Sequence, residues 1–349
     1  MELFALDLGN IQTKIKSSKL EKVLPSKFAY YEDLGNQDTS IKKSKRDIKE
    51  YSVNYDNDFS YAWGADINDA KKVDLIDTIG FENRYSTTEF RLLSSFAIGE
   101  LAKDFQEAKN GILEVDIVTG VPTNDFNEKA VKTLIKVLKA DHNVVVDGVS
   151  LNVRVNEVKV IPQPIGTVYN KMLDDQGYIV EDDFDEETIS VVDCGGGTIL
   201  IDTLNNMNLD ETGRSQEKEG AHHLYDSIIS ECSKENITLT KNDIEKILRE
   251  QKDRYYFAPN KDESIEITKE VNRSITKYTR QLTNKVTSTL KDTSQIDTLF
   301  FTGGGANLIN KKEVTKRFKR AIFIEKSETA NVNGYYKYGL ATAESDHDD

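Results

Sequence analysis

Two short loops in this sequence place an aspartate at the end of an apolar strand and follow it with residues that let backbone amides approach an anion. The first is Leu6-Asp7-Leu8-Gly9-Asn10, with Lys14 just beyond; the second is Val192-Asp193-Cys194-Gly195-Gly196-Gly197-Thr198. A phosphate chain needs such N–H donors in place of water, and glycine permits both the dihedrals and the close approach. A carboxylate repels phosphate, so Asp7 and Asp193 suit instead the water shell of a Mg²⁺ that bridges phosphate oxygens. Each loop runs into a further strand, Thr13 to Ser17 and Ile199 to Leu204. Singly, such a turn is also what a plain hairpin carries. Duplicated, it implies two similar halves clamping one nucleotide. A third run, Thr302-Gly303-Gly304-Gly305-Ala306-Asn307, again follows an apolar strand, Thr298 to Thr302, and precedes a helix, leaving a flat surface for a purine ring.

These elements resemble the superfamily of actins, heat-shock chaperones and sugar kinases. The three loops are similar to its phosphate-1, phosphate-2 and adenosine motifs. Ile161-Pro162-Gln163-Pro164-Ile165-Gly166-Thr167 resembles the first connecting motif, and Asn331-Val332-Asn333-Gly334-Tyr335-Tyr336-Lys337-Tyr338-Gly339 the second. All five stand in family order and span nearly the whole chain. The resemblance implies a two-domain α/β actin-like ATPase fold, duplicated RNase H-like domains around a nucleotide cleft. Domain I would comprise 1–165 and 330–349, with an insertion over about 26–86, and domain II 166–329.

The resemblance also implies roles. Asp7 and Asp193 would hold hydrated Mg²⁺. Gly9, Asn10 and Lys14 would contact β- and γ-phosphates, with Gly195, Gly196, Gly197 and Thr198 gripping from the opposite domain. Gly303, Gly304, Gly305 and Ala306 would lie under the base. Gln163 matches the residue that orients the attacking water; an amide deprotonates water poorly, so positioning and transition-state hydrogen bonding are its contribution. Slow hydrolysis follows, which suits a timer. Where actin has a histidine near that water, this chain has Leu200, so water positioning differs. The segment Glu245 to Asp253 is similar to the family's helix with ribose and purine contacts, Lys252 being the leading candidate; a plain surface helix fits it equally. Nothing in the loops selects ATP over GTP.

At 349 residues the chain is long enough for two domains with separate cores, and 30% charged with 38% hydrophobic residues is a globular composition. The apolar runs are of strand length, too short to cross a membrane. Met1 leads directly into a strand from Glu2 to Asp7, with no signal-peptide pattern. Cys194 and Cys232 read as free thiols in a reducing cytoplasm. The net charge of -14 repels duplex phosphates, so any handling of DNA would need an adaptor protein. The cluster Lys42-Lys43-Ser44-Lys45-Arg46 with Lys49 is either a solvated loop or a contact for the acidic run Glu181 to Glu187 of a neighbouring copy. His222 and His223 are adjacent and make a poor metal pair on a helix. Trp63 reads as packing, and Ser26 and Ser86 lack a His and Asp arrangement.

Around these loops, residues 2 to 24 suggest three strands in a meander, and 26 to about 85 a polar insertion of weak periodicity. Phe90, Leu93, Ala97 and Leu101 predict an amphipathic helix over Thr87 to Ala102. A strand at Glu114 to Gly120, a helix at Asn127 to Leu138 and strands at Asn143 to Val146 and Val153 to Ile161 follow. Gly166 to Met172 and Ala221 to Ser233 read as helices. Val271, Ile275, Tyr278, Leu282, Val286 and Leu290 mark a long helix within Ile265 to Leu290 with one buried face. Strands at Leu299 to Thr302 and Ala321 to Ile324 precede a last helix over about Gly334 to Ala343. Strands followed by helices, twice over, predict two α/β domains.

Within the superfamily, heat-shock chaperones continue into a substrate domain, sugar kinases are longer and need an open-cleft base, and membrane-bound relatives carry a terminal amphipathic helix. Here the end, Glu344-Ser345-Asp346-His347-Asp348-Asp349, is acidic. The terse first loop, Gln-Pro-Ile-Gly-Thr, Thr-Gly-Gly-Gly-Ala-Asn and Asn-Val-Asn-Gly-Tyr-Tyr-Lys-Tyr-Gly are most similar to the ParM-type actin-like proteins of plasmids and phages. That implies a cytoplasmic ATPase forming head-to-tail homopolymers that move or position DNA through an adaptor, with no direct nucleic-acid or membrane contact. The alternatives are a monomeric small-molecule kinase or a non-polymerising regulatory ATPase of the same superfamily.

Overall fold

The apolar and β-branched residues of the first twenty-five positions form an antiparallel meander, β1 (Glu2–Leu8), β2 (Gln12–Lys16) and β3 (Glu21–Pro25), in a computed structural model that describes residues 1–35, 46–70, 73–80 and 83–345. Lys42 to Lys45 and the terminal Asp346 to Asp349 lie outside the described residues. The chain divides into two compact units, 1–181 with 331–349, and 182–330.

In the first unit the meander is followed by β4 (Lys27–Tyr30), β5 (Lys49–Val53), β6 (Asp56–Trp63) and β7 (Ile76–Asp77), then helices α1 (Thr88–Ala102) and α2 (Gln106–Asn110). Next come β8 (Leu113–Val121), α3 (Glu128–Leu138), β9 (Asp141–Val146), β10 (Val149–Pro162) and α4 (Ile165–Met172). The second unit holds β11 (Thr188–Cys194), β12 (Ile199–Asn205), β13 (Asn208–Glu217), α5 (Ala221–Ser233), α6 (Lys241–Glu250), β14 (Tyr256–Phe257) and β15 (Ile265–Glu266). It continues with α7 (Thr268–Leu290), β16 (Thr298–Thr302), α8 (Lys311–Arg317) and β17 (Ala321–Phe323), before α9 (Ala330–Ser345) returns to the first unit.

The duplication expected from the paired loops is present in the strand order. The first sheet runs β3-β2-β1-β8-β10-β9-β5-β6-β4-β7, the second β13-β12-β11-β16-β17. In each, an antiparallel meander leads to parallel strands, so β3-β2-β1-β8-β10 repeats as β13-β12-β11-β16-β17. The repeat extends to register. Asp7 lies opposite Lys14, and its counterpart Asp193 lies opposite Leu200, so Lys14 and Leu200 occupy equivalent positions.

Several expectations change. The polar insertion after residue 26, in which no strand was expected, holds β4 to β7, which continue the sheet beyond β10, with β5 paired to β9 through Tyr51 and Val146. Its strands are short and its buried side chains aromatic, so alternation is weak. Phe28, Tyr51, Tyr61 and Trp63 all pack on Phe96 of α1, at ring centroid separations of 5.3, 5.0, 5.6 and 6.2 Å. Trp63 is fully buried and donates its indole N–H to the Pro25 carbonyl at 2.7 Å. For the same reason α1 is buried from Leu92 to Ala102 without a break, rather than along one face. α7 begins at Thr268, since Ile265–Glu266 form β15, and β13 was unexpected because its ten residues are largely polar.

Glu100 on α1 is buried and charged. Its carboxylate accepts from Lys103 (2.6 Å), Lys49 (2.7 Å), the Tyr51 hydroxyl (2.7 Å) and Lys22 (3.0 Å), tying β3 and β5 to the helix. Burial pushes its pKa up, but the hydrogen bonds from Lys103, Lys49 and Tyr51 and the charge of Lys22 outweigh it and leave the group at about 2. A folded pKa below the unfolded value contributes stability that is full above about 4.5 and is lost as pH falls through about 2. Glu100→Gln should therefore destabilise the protein by about 3–5 kcal/mol, the range for breaking a buried ion pair. Thermal melts should show the deficit at pH 7 and see it shrink toward pH 2; a deficit independent of pH would remove the ionic account.

Candidate functional site

In the first unit, β1, β8 and β10 run parallel, and Asp7 and Gln163 come to the carboxyl ends of the outer two, where ligands bind to open α/β sheets. Asp7 is buried, with Lys14 Nζ at 3.2 Å. The loop beyond it is set by a residue the sequence reading passed over. Arg84 is buried and donates from Nη1 to the Leu8 carbonyl (2.6 Å), from Nη2 to the Gly9 carbonyl (2.9 Å) and from Nε to Thr78 (2.9 Å). Ser26 Oγ donates to the Gly9 carbonyl as well, at 2.6 Å. In a trans peptide each carbonyl points opposite the next N–H. Drawing the Leu8 and Gly9 carbonyls toward Arg84 therefore turns the Gly9 and Asn10 N–H groups the other way, as donors to an anion. Burial lowers the Arg84 pKa to about 10, against the opposing charges of Asp7 and Asp125, so the guanidinium stays cationic at neutral pH.

Gln163 begins the turn after β10. Its N–H donates to the Val121 carbonyl (2.8 Å), and its own carbonyl accepts from Gly166 (3.2 Å) and from the Tyr335 hydroxyl (3.1 Å). Tyr335 lies on α9, fully buried with Val332 against Ala5 and Val118, so α9 fixes the backbone that carries Gln163. The two connecting segments touch backbone to backbone. A Cβ on Gly334 would run into the Gly166 carbonyl, and one on Gly166 would lie 2.7 Å from the Asn331 carbonyl. Thr167 Oγ1 donates to Asn331 Oδ1 at 2.8 Å across the same contact.

In the second unit the glycine loop is aimed by the start of α5. Ala221 N–H donates to the Gly195 carbonyl (2.9 Å), His222 to Gly196 (2.9 Å) and Gly220 to Gly197 (3.3 Å). Because no described peptide is cis, the N–H groups of Gly196, Gly197 and Thr198 face away from α5. Both loops thus use one device: carbonyls held behind, amides presented in front. His222 acts through its backbone. Burial and then the neighbouring Asp193 carboxylate push the Cys194 thiol up, so it stays protonated and inert, and Cys194 and Cys232 are both buried free thiols.

The third loop comes to the same sheet end, since Asp193 pairs with Thr302. Gly303 has φ of 81°, and a Cβ there would strike Asp193 Oδ1 and lie 2.5 Å from the Cys194 carbonyl, so only glycine fits beside the aspartate. Ser327, also missed by sequence reading, donates to the Gly303 carbonyl at 2.9 Å and accepts from Asn307 at 3.0 Å. A 3₁₀ turn, Gly304–Asn307, follows in place of the expected α-helix, which starts only at Lys311. Lys252 is exposed two residues beyond α6; Gln251, whose side chain bonds the Tyr256 backbone, closes the helix.

Among the described residues no group of three or more His, Cys, Asp or Glu side chains could hold a metal by itself. Each phosphate-type loop has one buried carboxylate beside it, Asp7 in the first unit and Asp193 in the second. No described helix is long and apolar enough to cross a membrane.

This arrangement, two repeated α/β units each with an aspartate-ended strand and an amide-presenting loop, defines an actin-like fold. The family of actin-like protein N-terminal domains matches residues 5–166, and the Alp7A C-terminal domain family matches residues 188–338. The chain belongs to the actin-like proteins, of the type represented by ParM and Alp7A. The crystal structure of apo ParM of pSK41 is similar at 26% identity and a TM-score of 0.78, covering 99% of this chain and 98% of that one. Alp7A matches at 14% identity and a TM-score of 0.75, with 99% and 97% covered. The Alp12 filament structure matches at 17% identity and 0.66, with 99% of each chain covered. A search of curated proteins found no match.

Proposed function

We propose that this protein is a nucleotide-dependent, filament-forming ATPase of the cytoplasm that moves or positions DNA through an adaptor protein. The repeated loop device carries the reading. The Gly9–Asn10 and Gly196–Thr198 amides, with Lys14, would grip the phosphates of ATP or GTP, and Gly303, Gly304, Gly305 and Ala306 would lie under the base. Asp7 and Asp193 would hold hydrated Mg²⁺, which neutralises developing phosphate charge. Gln163 would orient the attacking water, and Lys252 would approach the ribose or base. An archaeal actin homologue of the same fold was solved with ADP, and Alp12 as a filament. The net charge of -14 supports contact with DNA through an adaptor rather than directly.

Sedimentation of the protein with Mg-ATP, with Mg-ADP and without nucleotide tests this. We expect pelleting with Mg-ATP that reverses as phosphate is released. ATP turnover with no pelleted protein at any concentration would overturn the filament and favour a kinase or regulatory ATPase.

A further inference from the structure

The second unit carries two oppositely charged surfaces that cannot satisfy each other within one molecule. α7 bears five basic residues, Lys269, Arg273, Lys277, Arg280 and Lys285, and one acidic, Glu270, in a chain whose net charge is -14. Arg273, Lys277 and Arg280 recur at helical spacing on its exposed face, beside a groove of about 700 Å³ between α7 and α5. Their neighbours only partly offset them: Arg273 lies 3.6 Å from Glu231, and Arg280 3.0 Å from Glu313. The opposing surface is the turn before β11, where Asp182, Asp183, Asp185 and Glu186 are exposed and only Phe184 is buried. Phe184 packs edge-on against Phe300 at 5.8 Å, and Glu187 accepts from Thr298, so the acidic turn is pinned in place.

The two surfaces lie on opposite faces of the five-stranded sheet. Leu299 and Phe301 of β16 pack with α5 and α7, whereas Phe300, between them, meets Phe184 on the other side. A single chain therefore cannot fold its acidic turn into its own groove, but a second copy can present it. A contact between unlike surfaces is heterologous and extends from copy to copy.

We propose that the α5–α7 groove receives the Asp182–Glu186 turn of a second copy of this chain, as a charged contact within the assembly. This inference rests on the filament reading above. Single exposed ion pairs contribute little; several repeated along a polymer set its salt sensitivity, since such contacts are screened over about 10 Å at 0.1 M salt.

Two charge-reversed chains test it, Arg273→Glu/Lys277→Glu/Arg280→Glu and Asp182→Lys/Asp183→Lys/Asp185→Lys, with melting and Mg-ATP binding checked in each. Alone, each should assemble only at a critical concentration roughly tenfold or more above wild type, the range for losing several weak pairs together. Mixed one to one they should co-assemble, because each then meets a complementary surface on the other. Folded variants that assemble normally alone, or that fail to recover on mixing, would overturn the groove contact while the filament stands. A wild type that never assembles would remove both. Duplex binding in a gel shift that the α7 reversal abolishes would reassign the stripe to nucleic acid.

Discussion

Gln163→Ala should uncouple assembly from disassembly. The variant should leave both phosphate-type loops and both aspartates in place, bind Mg-ATP and form filaments as wild type does. Phosphate release should fall by roughly tenfold to a thousandfold, the range for removing one group that stabilises a transition state. Filaments should then persist, because the diphosphate state is rarely reached. The backbone of Gln163 is held by Val121, Gly166 and Tyr335 whatever the side chain, so truncation should leave the turn intact. Light scattering and phosphate release followed in one sample report both halves. A variant that assembles and turns over at the wild-type rate would leave the fold untouched and end the role given to Gln163.

The second large effect should come from Arg84, whose side chain is spent on backbone carbonyls behind the first loop. Its guanidinium holds the Leu8 and Gly9 carbonyls at 2.6 and 2.9 Å and so aims the next two amides. Arg84→Met takes the guanidinium from the Leu8 carbonyl and leaves the Gly9 carbonyl to Ser26 alone, so the amides lose part of their fixed direction. A hydrogen bond to a charged group contributes about 1.5–3 kcal/mol; with Ser26 still holding Gly9, the aim lost is worth about one such bond, so Mg-ATP binding should weaken roughly ten- to a hundredfold, at about 1.4 kcal/mol per tenfold. Arg84→Lys restores the charge but not the planar fork that reaches two carbonyls at once. Titration of labelled ATP should therefore rank wild type above the lysine variant, and that above methionine. If lysine binds ATP as tightly as wild type, charge alone matters and the paired grip is not required.

The elements that carry these residues were legible to different degrees. The glycine loops stand out because aspartate and glycine interrupt strongly apolar strands, and the interruption recurs. α3 was legible to within a residue, since Asn127 caps it as an asparagine before an apolar period does. α7 was legible from its repeat, apart from its first turn. β4 to β7 were not, because their buried positions are filled by tyrosines and a tryptophan among lysines and aspartates, and their partner β9 lies far along the chain. Arg84 was hidden for a related reason. Arginine is rarely buried, and only the folded chain brings it to Gly9, 75 positions away. Ser327 and Tyr335 act on backbone atoms of distant loops, which no local pattern announces. The fold was thus readable from alternation and punctuation, whereas the supports behind the loops exist only in three dimensions.

The first unit is assembled from two stretches of chain, with the whole second unit lying between them in the sequence. On the ribosome, where domains form in the order they are completed, the unit that is begun first is finished last. Ala5 and Val118 must wait for Val332 and Tyr335 before their face is covered, and Gly166 must wait for Gly334. The second unit is a single continuous stretch from Asp182 to Ala330. A nascent chain therefore carries an open apolar face on β1 and β8 until Val332 and Tyr335 have been made, after the whole second unit.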